Sequence, residues 1–177
     1  MPSHVSEFDE AYDDFKEPPA MSGEVLEHPI RALEPREAVL IPSTASVAEA
    51  VNAMNAHRTG CLLVMEAGTL VGVFTDRDVV WRALPLGAPL DQVRVHEIMS
   101  RDLDVLTMDD PIAFALNRMA IGDSRHVALV DEGGQPLAVV SVRDIAKFVA
   151  EHFAGTVHNL PPVPSRRSSD YPPHGAA

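Results

Sequence analysis

Residues 46–54 of this chain reappear at 111–119. Ser46-Val47-Ala48-Glu49-Ala50-Val51-Asn52-Ala53-Met54 lies on Pro111-Ile112-Ala113-Phe114-Ala115-Leu116-Asn117-Arg118-Met119, and Ala48, Ala50, Asn52 and Met54 meet identical residues. After one inserted residue near Gly133-Gly134, Gly72-Val73-Phe74-Thr75-Asp76-Arg77-Asp78-Val79 falls on Ala138-Val139-Val140-Ser141-Val142-Arg143-Asp144-Ile145, where Val73, Arg77 and Asp78 find their equals. A duplicated sequence implies a duplicated supersecondary unit, so one topology must serve both halves.

Each half reads as strand, helix, strand, strand, helix. A short apolar strand (Val39 to Ile41, or Val105 to Thr107) leads into a helix. The helix is marked by Val47, Ala50, Val51 and Met54, or by Ile112, Ala115, Leu116 and Met119, at helical spacing. Two apolar runs follow, Leu62 to Met65 and Leu70 to Thr75 around Gly68, then Val127 to Val130 and Leu137 to Ser141 around Gly133-Gly134. They predict strand pairs joined by turns. A second helix starts near Asp78 and near Asp144. A unit of about 50 residues with one thin sheet buries too little apolar surface alone. The expected fold is therefore α+β, with two tandem β-α-β-β-α repeats packed in pseudo-two-fold symmetry around a shared cleft. The expected repeats are 30–92 and 93–154.

Outside the repeats the composition changes. Residues 1–29 mix acids with Pro18, Pro19 and Pro29, and 155–177 carry Pro161, Pro162, Pro164, Pro172 and Pro173. Both read as flexible tails, the first acidic and the second Pro-rich. Within the first, the spacing of Phe8, Tyr12 and Phe15 is also that of a short amphipathic helix. The net charge of −12 is concentrated near the start, where Glu7, Asp9, Glu10, Asp13, Asp14, Glu17, Glu24, Glu27 and Glu34 face only Lys16 and Arg31. An acidic chain without a basic stripe repels a phosphate backbone, so nucleic-acid binding is not expected. Cys61 is the single cysteine, which rules out an intramolecular disulfide and fits a reducing cytoplasm. Met1-Pro2-Ser3-His4 opens no secretory signal, and no apolar run has the length of a membrane span; neither secretion nor membrane insertion is expected.

The chemistry concentrates at two helix starts. Thr75-x-x-Asp78 and Ser141-x-x-Asp144 each follow a strand and open a helix, where unpaired backbone N–H groups attract phosphate. A carboxylate there can accept both hydroxyls of a ribose, and apolar strand edges can sandwich a purine. The same spacing is also a helix capping box, which explains each motif taken alone. His57, His96, His126 and His152 show no i, i+4 pair, so no metal site is expected. No glycine-rich nucleotide loop, nucleophile elbow or paired carboxylates point to catalysis, so the chain is not expected to be an enzyme. Cys61 reads as a small buried apolar residue. Trp81 reads as part of the apolar face of its helix or as an anchor for a partner subunit.

The repeat resembles a pair of CBS domains, which together form a Bateman module, over roughly residues 30–153. The resemblance rests on Gly72-Val73-Phe74-Thr75-Asp76-Arg77-Asp78, on Val139-Val140-Ser141-Val142-Arg143-Asp144-Ile145, and on His96-Glu97-Ile98-Met99 as the opening of a repeat. It implies a regulatory module that takes AMP, ADP, ATP or S-adenosylmethionine, with no cofactor required, forms a homodimer and modulates an unnamed partner protein. It also implies that Thr75 and Asp78 share a site with Val105, Arg125 and His126. Ser141 and Asp144 share one with Val39, Leu40, Gly60 and Cys61. Arg125, with His126, offers positive charge to a phosphate, or else is an ordinary surface residue; Gly60 and Cys61 offer none, which makes the first site the better equipped. Ala138 in place of Gly72 is expected to hinder close approach of a ligand, and Val142 in place of Asp76 makes the second loop less polar. The rival reading is a ligand-free assembly module that recruits partners through its tails.

Overall fold

The computed structural model describes residues 23–122 and 124–153, and the expectations for the remaining residues lie outside them. Strand β1 (Arg36–Glu37) and β2 (Leu40–Pro42) precede helix α2 (Val47–His57), with a helical turn α1 (Glu24–Glu27) and a 3-10 turn (Ile30–Leu33) before them. Ser46 caps α2 in a reciprocal capping box with Glu49, and Arg58 ends it in the left-handed region at φ 51°. The apolar run then forms β3 (Cys61–Glu66), which turns back into β4 (Thr69–Thr75) through Ala67 and Gly68, both at positive φ, the geometry of a tight hairpin. The second repeat follows suit with β5 (Val105–Leu106), α5 (Ile112–Ile121), β6 (His126–Val130), β7 (Pro136–Ser141) and α6 (Val142–His152). Its hairpin is held by Asp131 Oδ1, which accepts from the Gly133 and Gln135 N–H groups.

The strands form two sheets, ordered β2-β3-β4 and β1-β7-β6-β5. β3 shows why its sequence lacks polar alternation: Leu62 and Val64 pack toward α2, while Cys61 and Leu63 meet Val73 and Ala128 between the sheets. Both faces are covered, so both must be apolar. The expected α+β architecture of paired repeats is present.

The ends of the two repeats are exchanged. β1 does not join its own repeat's sheet but pairs with β7, Arg36 opposite Val139 and Glu37 opposite Ala138. Ile30 is fully buried in the second repeat's core with Ile112, Leu129 and Val140. Reciprocally, Val93, Val95, Ile98 and Met99 enter the first repeat's core, the last three from around helix α4 (Val95–Ile98), and Ser100 forms a two-bond antiparallel bridge with Val73. Of the segment expected to be an acidic tail, the described residues are folded, with Val25 buried and Leu26 packed on the second core.

The helices that close the repeats differ. α6 is regular over eleven residues, whereas its counterpart is three α residues (α3, Asp76–Asp78), a π turn over Val79–Ala83 and a 3-10 turn over Leu84–Leu86. Pro85 lacks an N–H, and its ring would press on the carbonyl four residues back, so a regular helix cannot continue through it. The wider turn lets the Leu84 N–H reach the Val79 carbonyl instead. Trp81 sits on this irregular stretch and is 74% exposed, so it is not part of a buried helix face.

Candidate ligand clefts between the repeats

Where the repeats meet, a helix starts from each side beside the leading end of the other repeat's hairpin. Thr75 and Ser141 are N-caps in the same geometry. The Thr75 hydroxyl and N–H donate to Asp78 Oδ2 at 2.7 and 2.8 Å, and the Ser141 hydroxyl and N–H donate to Asp144 Oδ2 at 2.6 and 2.8 Å. Capping thus accounts for one oxygen of each carboxylate. The other oxygen separates the two sites. Asp78 Oδ1 lies 3.2 Å from Arg82 Nη1, and Arg82 also donates to the Ile98 carbonyl at 2.9 Å. Asp144 Oδ1 has no partner among the described residues, and Asp144 is half-buried where Asp78 is only 6% exposed.

Two clefts flank these caps. The first, about 370 Å³, is lined by Thr75, Asp78, Arg125 and His126 together with Trp81, Arg82 and Arg118. The second, about 450 Å³, is lined by Ser141, Asp144, Val39, Gly60 and Cys61 together with Arg36, Arg58 and Arg143. Both volumes suit a small organic ligand. Val105 and Leu40 line neither; they are 46% and 48% exposed, because the short β5 and β2 turn these side chains outward.

The ion pairs differ between the clefts. In the first, Arg82 is held by Asp78, Arg118 by Asp104 at 3.3 Å and Arg125 by Asp76 at 3.6 Å. In the second, Arg36, Arg58 and Arg143 make no ion pair among the described residues. Position by position, Gly60 and Cys61 do lack charge. The cations arrive from the left-handed end of α2, from the exchanged β1 and from the first turn of α6. Only Arg143 left a signal in the sequence, as the repeat partner of Arg77.

His126 does not add a positive charge at neutral pH, since burial pushes its imidazole down from the ordinary value and outweighs the raising effect of Asp76. Burial, with Asp78 and Asp76 in support, pushes the Cys61 thiol up to about 12, so Cys61 is a buried, protonated wall residue as expected. Gly72 has a different role from the one expected. A Cβ there would lie 2.6 Å from the Ser100 carbonyl oxygen and 3.0 Å from Met99 Sδ. The glycine admits the exchanged segment, and Ala138 in its place meets Glu37 of β1.

Two hairpin-and-helix repeats with exchanged ends and a capped helix start on either side of a shared wall define a paired-repeat module. The CBS domain model matches residues 30–84 and 95–151, and the chain belongs to the CBS-domain family. It is 33% identical over 122 residues to the CBS domain-containing protein CBSCBSPB3 of Arabidopsis thaliana, covering 68% of this chain but 21% of that protein. Among solved structures it resembles the CBS domain protein NE2398, at 27% identity and a TM-score of 0.63 over 68% of this chain and 96% of that one. It also resembles the CBS domain protein PAE2072 from Pyrobaculum aerophilum, a complex with AMP, at 25% identity and a TM-score of 0.61 over 70% of this chain and 98% of that one. Among the described residues no helix is long and apolar enough to cross a membrane.

Proposed function

We propose that the chain is a regulatory, non-catalytic module that binds an adenine nucleotide between its CBS repeats, primarily in the Ser141–Asp144 cleft, and so alters the behaviour of a partner protein. The observation that carries this is an available carboxylate oxygen on Asp144 facing a cleft with three uncommitted arginines. The carboxylate suits the paired hydroxyls of a ribose, and guanidinium groups suit phosphate. The lining sets Arg36, Arg58, Arg125 and Arg143 against Glu37, Asp76 and Asp144, and this excess of one cation favours AMP, ADP or ATP over the sulfonium of S-adenosylmethionine. The AMP complex of the relative PAE2072 supports the same class of ligand. A single buried thiol fits a cytoplasmic setting.

A thermal-shift and calorimetric titration with the four ligands tests the reading. A nucleotide at 100 times its Kd stabilises the fold by about 2.7 kcal/mol. Asp144→Asn is expected to weaken it about tenfold to a hundredfold, the worth of a charged hydrogen bond, and Asp78→Asn far less. If no adenine ligand moves the midpoint at millimolar concentration, the assembly reading replaces this one.

The homodimer is supported by exposed apolar residues on the irregular helix, Val80, Trp81, Leu84 and Leu86, each more than half exposed. Such a patch is characteristic of an interaction surface. Light scattering at tens of micromolar is expected to give twice the chain mass of 19.1 kDa, and Val80→Asp with Leu84→Asp to restore the monomer. A monomeric wild-type mass would end this proposal.

A further inference from the structure

The two clefts share a wall, and that wall contains one ion pair. Asp76, Arg125 and His126 line both. The repeat explains why the pair is single: the Asp76 N–H donates to the Gly60 carbonyl, and at the matching place the Val142 N–H donates to the Arg125 carbonyl. Gly60 therefore corresponds to Arg125 and Asp76 to Val142. Each repeat supplies one charged and one neutral residue, and the charged ones meet across the pseudo-two-fold axis at 3.6 Å. Both side chains are more than half exposed, so neither is locked by packing.

Resting on the nucleotide reading above, we propose that this pair makes the clefts mutually exclusive, so that one chain holds one nucleotide at a time. A phosphate in the second cleft attracts Arg125 and repels Asp76. The freed Asp76 carboxylate then faces the first cleft, which already contains Asp78, Asp102 and Asp104. Arg82 and Arg118 are already paired with Asp78 and Asp104, so as Arg125 turns away that cleft loses one of its cations and keeps the Asp76 charge that Arg125 had balanced. An anionic ligand is disfavoured there. The coupling is reciprocal, as any coupling between binding equilibria must be.

The test is calorimetry of the full chain with AMP, read together with the fluorescence of Trp81, the single tryptophan and a lining residue of the first cleft only. Wild type is expected to bind one AMP per chain at high affinity, any second site being at least about tenfold weaker, with little change in Trp81 emission over the first equivalent. Asp76→Asn is expected to bring the second site within reach, giving two AMP per chain and a Trp81 change with the second. Asp76→Val, which copies Val142, should do the same if the amide disturbs the loop. Two independent sites in wild type, or one site in both wild type and variants, overturns the coupling while leaving nucleotide binding intact. No AMP bound by any form overturns both.

Discussion

Replacing Ile30 with Ala is expected to cost about 2–5 kcal/mol, a large part of the total stability of a small domain, and to spend that loss on the second repeat. Along the chain Ile30 lies at the head of the first repeat, but its side chain is fully buried among Ile112, Ala115, Leu129, Val140 and Ile145. Its surroundings give the cavity little freedom to collapse. The Ile30 N–H is bonded to the Asp110 carbonyl at 2.8 Å, the Arg31 N–H to that of Met108 at 3.0 Å, and the Ile112 N–H to that of His28 at 2.9 Å, so the backbone on both sides is fixed. Urea unfolding gives the magnitude, and native-state hydrogen exchange gives the location. Amides of β6 and β7 should lose protection more than those of β3 and β4. Equal loss in both sheets would mean that the repeats open as one cooperative unit, and a loss confined to β3 and β4 would contradict the exchange of ends.

That exchange is also what the sequence concealed. The repeat, its order of elements and the capped helix starts were legible because they depend on local signals: apolar spacing at 47, 50, 51 and 54, a hydroxyl three residues ahead of a carboxylate, and glycine at a hairpin turn. The site was half legible. Thr75, Asp78, Ser141 and Asp144 could be read from their spacing, and Arg125 and His126 only from the resemblance to the family. Which carboxylate oxygen is free could not, since Arg82 reaches Asp78 only through the geometry of an irregular turn, and Arg36 reaches the second cleft only because β1 crosses to the other sheet. A pattern that repeats along the chain reveals what each unit keeps in common. The function proposed here depends on where the units differ.

Gly72 shows how much one such difference is worth. Gly72→Ala is expected to destabilise by about 1–3 kcal/mol, as overpacking does, because the new Cβ meets backbone: the Ser100 carbonyl oxygen at 2.6 Å. Gly60→Ala is the informative contrast, since its Cβ would meet the Asp76 carboxylate at 3.2 Å, a side chain that can move aside at little cost. The larger effect carries a functional signature. To relieve the clash, residues 99–100 must leave β4, losing both 2.9 Å bonds between Val73 and Ser100. The segment that leaves continues into Ser100, Asp102, Leu103 and Asp104, one side of the first cleft, while none of these lines the second. Gly72→Ala should therefore alter Trp81 emission in the unliganded chain and lower the urea midpoint, yet leave AMP affinity in the Asp144 cleft within about threefold of wild type, a change of less than 1 kcal/mol. A large loss of AMP affinity in Gly72→Ala with Gly60→Ala unaffected would place the primary nucleotide in the first cleft and reverse the ranking derived from the free arginines.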